Sequence, residues 1–262
     1  AFNNLINYAI TNNIKLILVS GDMFHLKTIN SKTLQKTIDL LTLARDNNIE
    51  VIVIEGNHDK AFYVDEDSWL YFLNNQQYLK LLQTPITDGQ VNVETYNGTT
   101  GGVIENDDYR IIGLGYMGGA TDKYLQSLSK QIKPSPKFTI LMLHAAINRL
   151  VGQDMGDVKG DEVLDLQSKV DYIALGHIHN KYQFNDFAYN PGALENIRLK
   201  DGLTMDDKGF YHVKVENDKT FIVKHINSNP RFVLNKAINV TGFKNAQAIE
   251  KEILSKDFKL KP

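Results

Sequence analysis

Four short apolar runs, each ending in a turn that carries glycine or histidine, constrain this chain more than any other feature. Lys15-Leu-Ile-Leu-Val-Ser20 runs into Gly21-Asp22, and Val51-Ile-Val-Ile54 into Gly56-Asn57-His58-Asp59. Phe138-Thr-Ile-Leu-Met-Leu143 runs into His144, and Tyr172-Ile-Ala-Leu175 into Gly176-His177-Ile178-His179. Runs so short and so continuously apolar read as strands buried on both faces. Between the first two, Leu34, Ile38, Leu41 and Ala44 line one face of a helix that Ser31 caps and that reaches about Asn47. Strand, helix, strand in that order is a βαβ unit, right-handed within a parallel sheet.

The rest of the chain is arranged around these runs. Phe2, Leu5, Ile6, Ala9 and Ile10 keep the spacing of an amphipathic helix with neither an initiator Met nor a capping residue before it, so the chain is expected to start inside an element. A short helix is expected over 67–74, strands over 78–83 and 110–113, a hairpin turn at Asn97-Gly98, and a helix over 121–133 capped by Thr121. An acid-rich loop over 154–165 separates the third and fourth runs. Past a polar break at 201–208, a hairpin over 210–226, a strand over 235–240 and a helix over 246–254 are too little chain for a core of their own. The expected division is therefore a main α/β domain over 1–205 and an accessory unit over 206–262 leaning on it.

Composition narrows the chemistry. The 262 residues contain no cysteine, which excludes a disulfide framework, a thiolate zinc site and a cysteine nucleophile together; any metal must be held by His, Asp, Glu, Asn or water. No stretch approaches the roughly 20 consecutive apolar residues of a membrane span, so a soluble protein with no membrane partner is expected. The net charge of -2 carries no nucleic-acid signature as a whole. It is unevenly spread: residues 219–262 hold nine Lys/Arg against three Asp/Glu, a basic segment behind an acidic body.

Five of the seven histidines, His25, His58, His144, His177 and His179, fall within a few residues of the C-terminal end of an apolar run. That edge is where ligand-binding loops converge in open α/β sheets. Asp22 and Asn57 stand at the same edge and complete a nitrogen and oxygen ligand set. His177 and His179 are one residue apart, and in an extended segment they point to the same side, where they could serve two ions roughly 3.5–4 Å apart with Asp22 bridging. Hard oxygen mixed with imidazole suits Mn(II), with Zn(II) or Fe(II) as weaker candidates. Two such ions suggest phosphoester hydrolysis, with His58 placed to touch the phosphate or protonate the leaving oxygen. The bland alternative for His58 is a brace to a carboxylate such as Asp59.

These residues resemble the calcineurin-like metallophosphoesterases: Gly21-Asp22, Gly56-Asn57-His58-Asp59, His144 after a strand, and Gly176-His177-Ile178-His179 match four ordered family motifs. Together with Ser20-Gly-Asp-Met-Phe-His25, Lys181-Tyr182 and Asn190-Pro-Gly-Ala-Leu-Glu195, they are similar to the DNA double-strand-break-repair nucleases of the Mre-eleven/SbcD type, archaeal-like, over nearly the whole chain and more weakly after about residue 205. The resemblance implies an α/β fold, a calcineurin-like metallophosphoesterase β-sandwich flanked by helices, with a small α+β capping domain that positions DNA. It implies two Mn(II) ions bridged by Asp22, one held by Asn57, His144 and His177, the other by His179. His58 would stabilise the transition state and leaving group, and His25 would orient the DNA phosphate. The implied activity is 3'-5' exonuclease and single-strand endonuclease action in the cytoplasm, alongside an SMC-like ABC ATPase. A homodimer is implied too, for which Leu34, Leu70 and Leu73 are candidates, with packing inside the chain as the equal alternative.

One departure bears on activity. The family opens with a strand ending in Asp-x-His, two further ligands for the ion that His179 binds, and these residues hold no such motif. The expectation is a fragment of weak or absent activity, whose ATPase-docking segment lies beyond Pro262. Two rival readings stand beside the nuclease. One is a generic phosphatase or phosphodiesterase of the same superfamily acting on a small nucleotide or a phosphoprotein. The other is an architectural DNA-binding dimer with dispensable chemistry.

Overall fold

The computed structural model describes residues 1–62, 67–147, 158–197, 208–217, 219–231, 233 and 239–255. The chain opens on α1 (Phe2–Thr11), which has no side-chain cap, and passes to β1 (Leu16–Val19), α2 (Ser31–Asp46), β2 (Glu50–Val53), α3 (Trp69–Asn75) and β3 (Lys80–Leu81). β1, β2 and β3 form a parallel sheet in that order. A small hairpin, β4 (Ile86–Thr87) and β5 (Gln90–Val91), turns at Asp88-Gly89, where both residues have positive φ. Then come β6 (Val103–Glu105), β7 (Tyr109–Leu114), α4 (Thr121–Gln131), β8 (Phe138–His144), α5 (Gly160–Leu164), β9 (Tyr172–Gly176), β10 (Tyr182–Phe184) and β11 (Ala188–Asn190). Among the described residues these strands make a second sheet in the order β10-β11-β9-β8-β7-β6. The hairpin β12 (Gly209–Val215) with β13 (Phe221–Asn227) and the helix α6 (Ala246–Ser255) follow.

Period-two alternation along each strand builds the layers. Ile52 and Ile54 face inward with Leu82, and meet Ile111, Phe138, Ile140, Met142, Tyr172 and Tyr189 of the second sheet. Their neighbours Val51 and Val53 point outward and pack under Ile6, Leu41, Ala44, Leu70 and Leu73 of the helices. On the far side Ile112, Leu141, Leu143, Ile173 and Leu175 pack under Leu125 and Leu128 of α4 and Val163 of α5. The result is the expected α/β sandwich of two sheets flanked by helices. Each fully buried Leu, Ile or Val side chain among these contributes about 1.5–3 kcal/mol.

The β12–β13 hairpin completes the intersheet core with one face, placing Tyr211, Val213, Phe221 and Val223 against it. Phe221 meets Phe138 and Tyr172 edge-on at 5.7 and 5.5 Å between centroids. Its other side meets α1, where Tyr8 Oη lies 3.0 Å from His212 Nδ1 and Asn4 donates to the Ser228 carbonyl. Lys219 holds Asp171 at 2.9 Å. Among the described residues no helix is long and apolar enough to cross a membrane.

Several local expectations need correction. Asn30, not Ser31, caps α2, because its Oδ1 accepts the Thr33 amide; Ser31 is the first helical residue. Thr121 lies inside α4, and its hydroxyl donates back to the Gly118 carbonyl. Asn97-Gly98 does form a turn, with Asn97 Oδ1 accepting the Thr99 and Thr100 amides. The paired hairpins, however, turn at Asp88-Gly89 and around Asn106. Part of the acid-rich loop is helical, as α5, and its 154–157 portion lies outside the described residues. So does most of the expected 235–240 strand. Leu70 and Leu73 are fully buried inside the chain, and Leu34 packs on the same cluster, so the intrachain alternative accounts for all three.

Asn74 is a buried polar hub in this layer. It donates to the Thr99 carbonyl while its Oδ1 accepts from the Leu81 amide and the Tyr96 hydroxyl, joining α3, β3 and the 97–100 turn. An Asn74→Ala change strands the Leu81 donor without water, so a loss of about 2 kcal/mol is expected in denaturant unfolding.

Candidate metal centre

The two sheets end side by side. β1 and β2 run parallel with Val19 beside Val53, which puts the Ser20–Asp22 and Gly56–Asp59 turns together. β8 and β9 run parallel with His144 beside Gly176, which brings His177 next to His144. Ser20 ties one sheet to the other: its hydroxyl donates to the Ala174 carbonyl at 2.8 Å, and its carbonyl lies 2.6 Å from His144 Nδ1. Close approach leaves no room for a side chain at Gly56, where an added Cβ would lie 2.1 Å from Asp22 Oδ1. Asp22 itself takes the left-handed conformation, at φ 54°.

Asp22, His144 and His177 each offer one ligand atom, and these atoms all lie within 4.8 Å of one another. Asn57 joins them: its Oδ1 is 3.1 Å from His144 Nε2 and 3.1 Å from His177 Nδ1. His144, with no exposed surface, is the most deeply buried of the set. The Ser20 carbonyl can only accept, so Nδ1 of His144 carries a proton and Nε2 faces Asn57 Oδ1 and Asp22 Oδ2, the latter at 3.4 Å. With a second proton the ring is a cation bonded to these oxygens. Without it, the Nε2 lone pair and the two oxygens form a set that a metal ion satisfies. Burial works to raise the Asp22 carboxyl, but its contacts with His144 and the His58 amide prevail and hold it below the usual carboxylate range.

The neighbouring loop is braced from beneath. Asp59 accepts the amides of Gly56, Phe24 and Met23, so its carboxylate is committed to backbone and is not the partner of the His58 ring. Burial pushes Asp59 up to about 6, and the Gly56 and Phe24 amides pull the other way. The His58 amide donates to Asp22 Oδ1 at 2.8 Å, fixing that rotamer, while its ring lies 5.5 Å from the exposed ring of His25.

Of the seven residues expected at the site, Asp22, Asn57, His144 and His177 converge, and His58 and His25 pair beside them. His179 stands outside the cluster of ligand atoms. The assumption of an extended 177–179 segment fails: β9 stops at Gly176, and His177 has φ 86°, so the strand rule for i and i+2 does not apply. Sequence reasoning missed Tyr116, two residues past the end of β7, whose ring lies 5.5 Å from that of His177 and 6.0 Å from that of His144. The available signal was position alone, since its strand ends at the same edge.

A sandwich whose strand ends gather Asp, Asn and His in this way has relatives. The calcineurin-like phosphoesterase family model matches residues 1–181, and the chain belongs to that family. Within the curated proteins it is similar to the DNA double-strand break repair protein Mre11 of Archaeoglobus fulgidus, 28% identical over 237 residues, covering 82% of this chain and 51% of that protein. The Mre11 of Methanocaldococcus jannaschii is 30% identical over 207 residues, covering 76% and 50%, and that of Sulfolobus acidocaldarius 25% identical over 260 residues, covering 96% and 62%. The chain therefore spans between 50% and 62% of the length of these relatives.

Proposed function

We propose that this chain is the nuclease portion of a Mn-dependent phosphodiesterase that processes DNA ends as exonuclease and endonuclease, working as a homodimer with an SMC-like ABC ATPase. The observation that carries the reading is the convergence of Asp22, Asn57, His144 and His177 at the ends of both sheets. These four would hold one ion, and Asp22 with His179 would contribute to a second. Bound metal supplies hydroxide at neutral pH and neutralises charge building on a phosphoryl group. The residues of the chain do the rest. The His58 amide orients Asp22, the Ser20 carbonyl sets the His144 tautomer, and the His58 ring would protonate the leaving oxygen. His25, exposed beside it, would hold the incoming phosphate.

Residues 206–262 would form the DNA-positioning cap, whose basic stretch suits phosphate contacts and whose β12–β13 hairpin is anchored on the intersheet core. Hydrolysis by these residues alone is expected to be slow, because the gathered ligand atoms make up one ion's set and His179 stands apart.

The deciding experiment compares Mn-dependent degradation of end-labelled DNA with turnover of a chromogenic phosphodiester. Preferential DNA cleavage supports the proposal, and phosphodiester turnover with intact DNA overturns it in favour of a small-substrate phosphoesterase. In the same assay His58→Ala is expected to lower kcat about 100-fold with Mn(II) affinity by calorimetry unchanged, as befits a proton donor rather than a ligand. DNA binding with no cleavage in either protein would point to an architectural role instead.

A further inference from the structure

Two of the turns that build the metal centre continue past it and, together with α3 and the residues flanking it, wall an open cleft of about 590 Å³. Lys27 lies five residues beyond Asp22, while Lys60 and Phe62 follow Asn57 on the other loop. The loops are tied at the cleft: Lys27 Nζ reaches the Ala61 carbonyl at 3.4 Å, and Trp69 Nε1 donates to the Lys27 carbonyl at 3.0 Å. Asp59, which braces the Gly56 turn, also lines the cleft.

Its lining is unusual for a surface. Phe62 is 44% exposed, with the Lys27 ammonium 5.5 Å from its ring centroid, and Trp69, Phe72, Lys60 and Asp67 also line the cleft. Apolar side chains left exposed together in one groove, here Phe62 and Phe72, mark a binding surface where a lone exposed ring would not. An aromatic face flanked by ammonium groups is the combination that holds single-stranded nucleic acid, with bases stacking on the ring and phosphates meeting the cations. Resting on the reading of this protein as a DNA phosphodiesterase, we infer that the Phe62–Trp69 cleft binds an unpaired base of single-stranded DNA next to the phosphate at the metal centre. The protein would then engage DNA ends whose terminal bases are unpaired in preference to closed duplex.

Trp69 is the single tryptophan of the chain, so the cleft carries its own reporter. The protein is titrated, without metal, with a thymidine oligonucleotide and with an abasic strand of equal length and charge, following Trp69 fluorescence. The inference expects quenching by the thymidine strand and roughly tenfold weaker binding of that strand by Phe62→Ala. It also expects recovery of that binding in Phe62→Tyr, and no change for the abasic strand. Equal loss for both strands, or no loss for either, overturns it. A Phe62-dependent shift in sedimentation without any base dependence also overturns it, showing that a second copy covers the cleft. Mn-dependent DNA hydrolysis is scored separately: a failed base dependence with hydrolysis intact removes the cleft and leaves the phosphodiesterase reading standing.

Discussion

Asp22→Asn is expected to weaken Mn(II) binding at least about 100-fold and to abolish metal-dependent hydrolysis, with the fold intact. Partners that merely orient ligands commonly contribute 10–100-fold to metal affinity, and on the proposed reading Asp22 contributes a ligand oxygen itself. The substitution is well suited to the question because it separates charge from geometry. An asparagine keeps an oxygen to accept the His58 amide, now bonded at 2.8 Å, and matches the volume beside Gly56. It removes the negative charge facing His144 Nε2. Calorimetric titration with Mn(II), paired with a thermal melt, checks the prediction. Unchanged affinity would remove Asp22 from the ligand set, and an unfolded variant would show that its part is structural.

Gly176→Ala is expected to be the most destabilising single methyl addition at the site, about 3 kcal/mol, or roughly 6–12 °C in Tm for a domain of this size. The added Cβ would lie 1.9 Å from the Ser20 carbonyl oxygen and 2.9 Å from His144 Nδ1. Backbone cannot yield there cheaply, because the Ser20 carbonyl is held by His144 and its hydroxyl by Ala174. The same methyl group would part His144 from the carbonyl that sets its tautomer, so metal affinity should fall along with stability. Gly119→Ala, at a position with open space around the added carbon, is the control and should leave the melt nearly unchanged. A Gly176→Ala protein that melts like the parent would mean that the two turns stand further apart than described.

The layers and the site edge were legible because each rests on local chemistry. Apolar runs of four to six residues with polar turns gave β1, β2, β8 and β9, and the helical spacing of Leu41 and Ala44 gave α2. Once those strands are parallel, Asp22 comes out beside Asn57 and His144 beside His177, and the tie at Ser20 brings the two pairs together. What was not legible depends on backbone conformation or on partners distant in the chain. The positive φ of His177 breaks the simple pairing with His179, and no residue pattern announces it. Tyr116 enters the site only through strand order in the second sheet. Asp88-Gly89 was an overlooked hairpin signal of a familiar kind. Leu70 and Leu73 could be told from surface residues only by knowing which face of α3 lies on β2 and β3.

The cross-tie at Ser20 has a further consequence. Asp22 and Asn57 hang from one sheet, His144 and His177 from the other, and the aromatic packing around Phe221 fills the space between the same two sheets. An ion seated among the four side chains would act as a rivet through both plates of the sandwich. Its binding free energy is then also cohesion between the plates. A substitution deep among Phe138, Tyr172 and Phe221, far from any ligand, would be felt as a change in metal affinity, because a looser sandwich is a wider jaw.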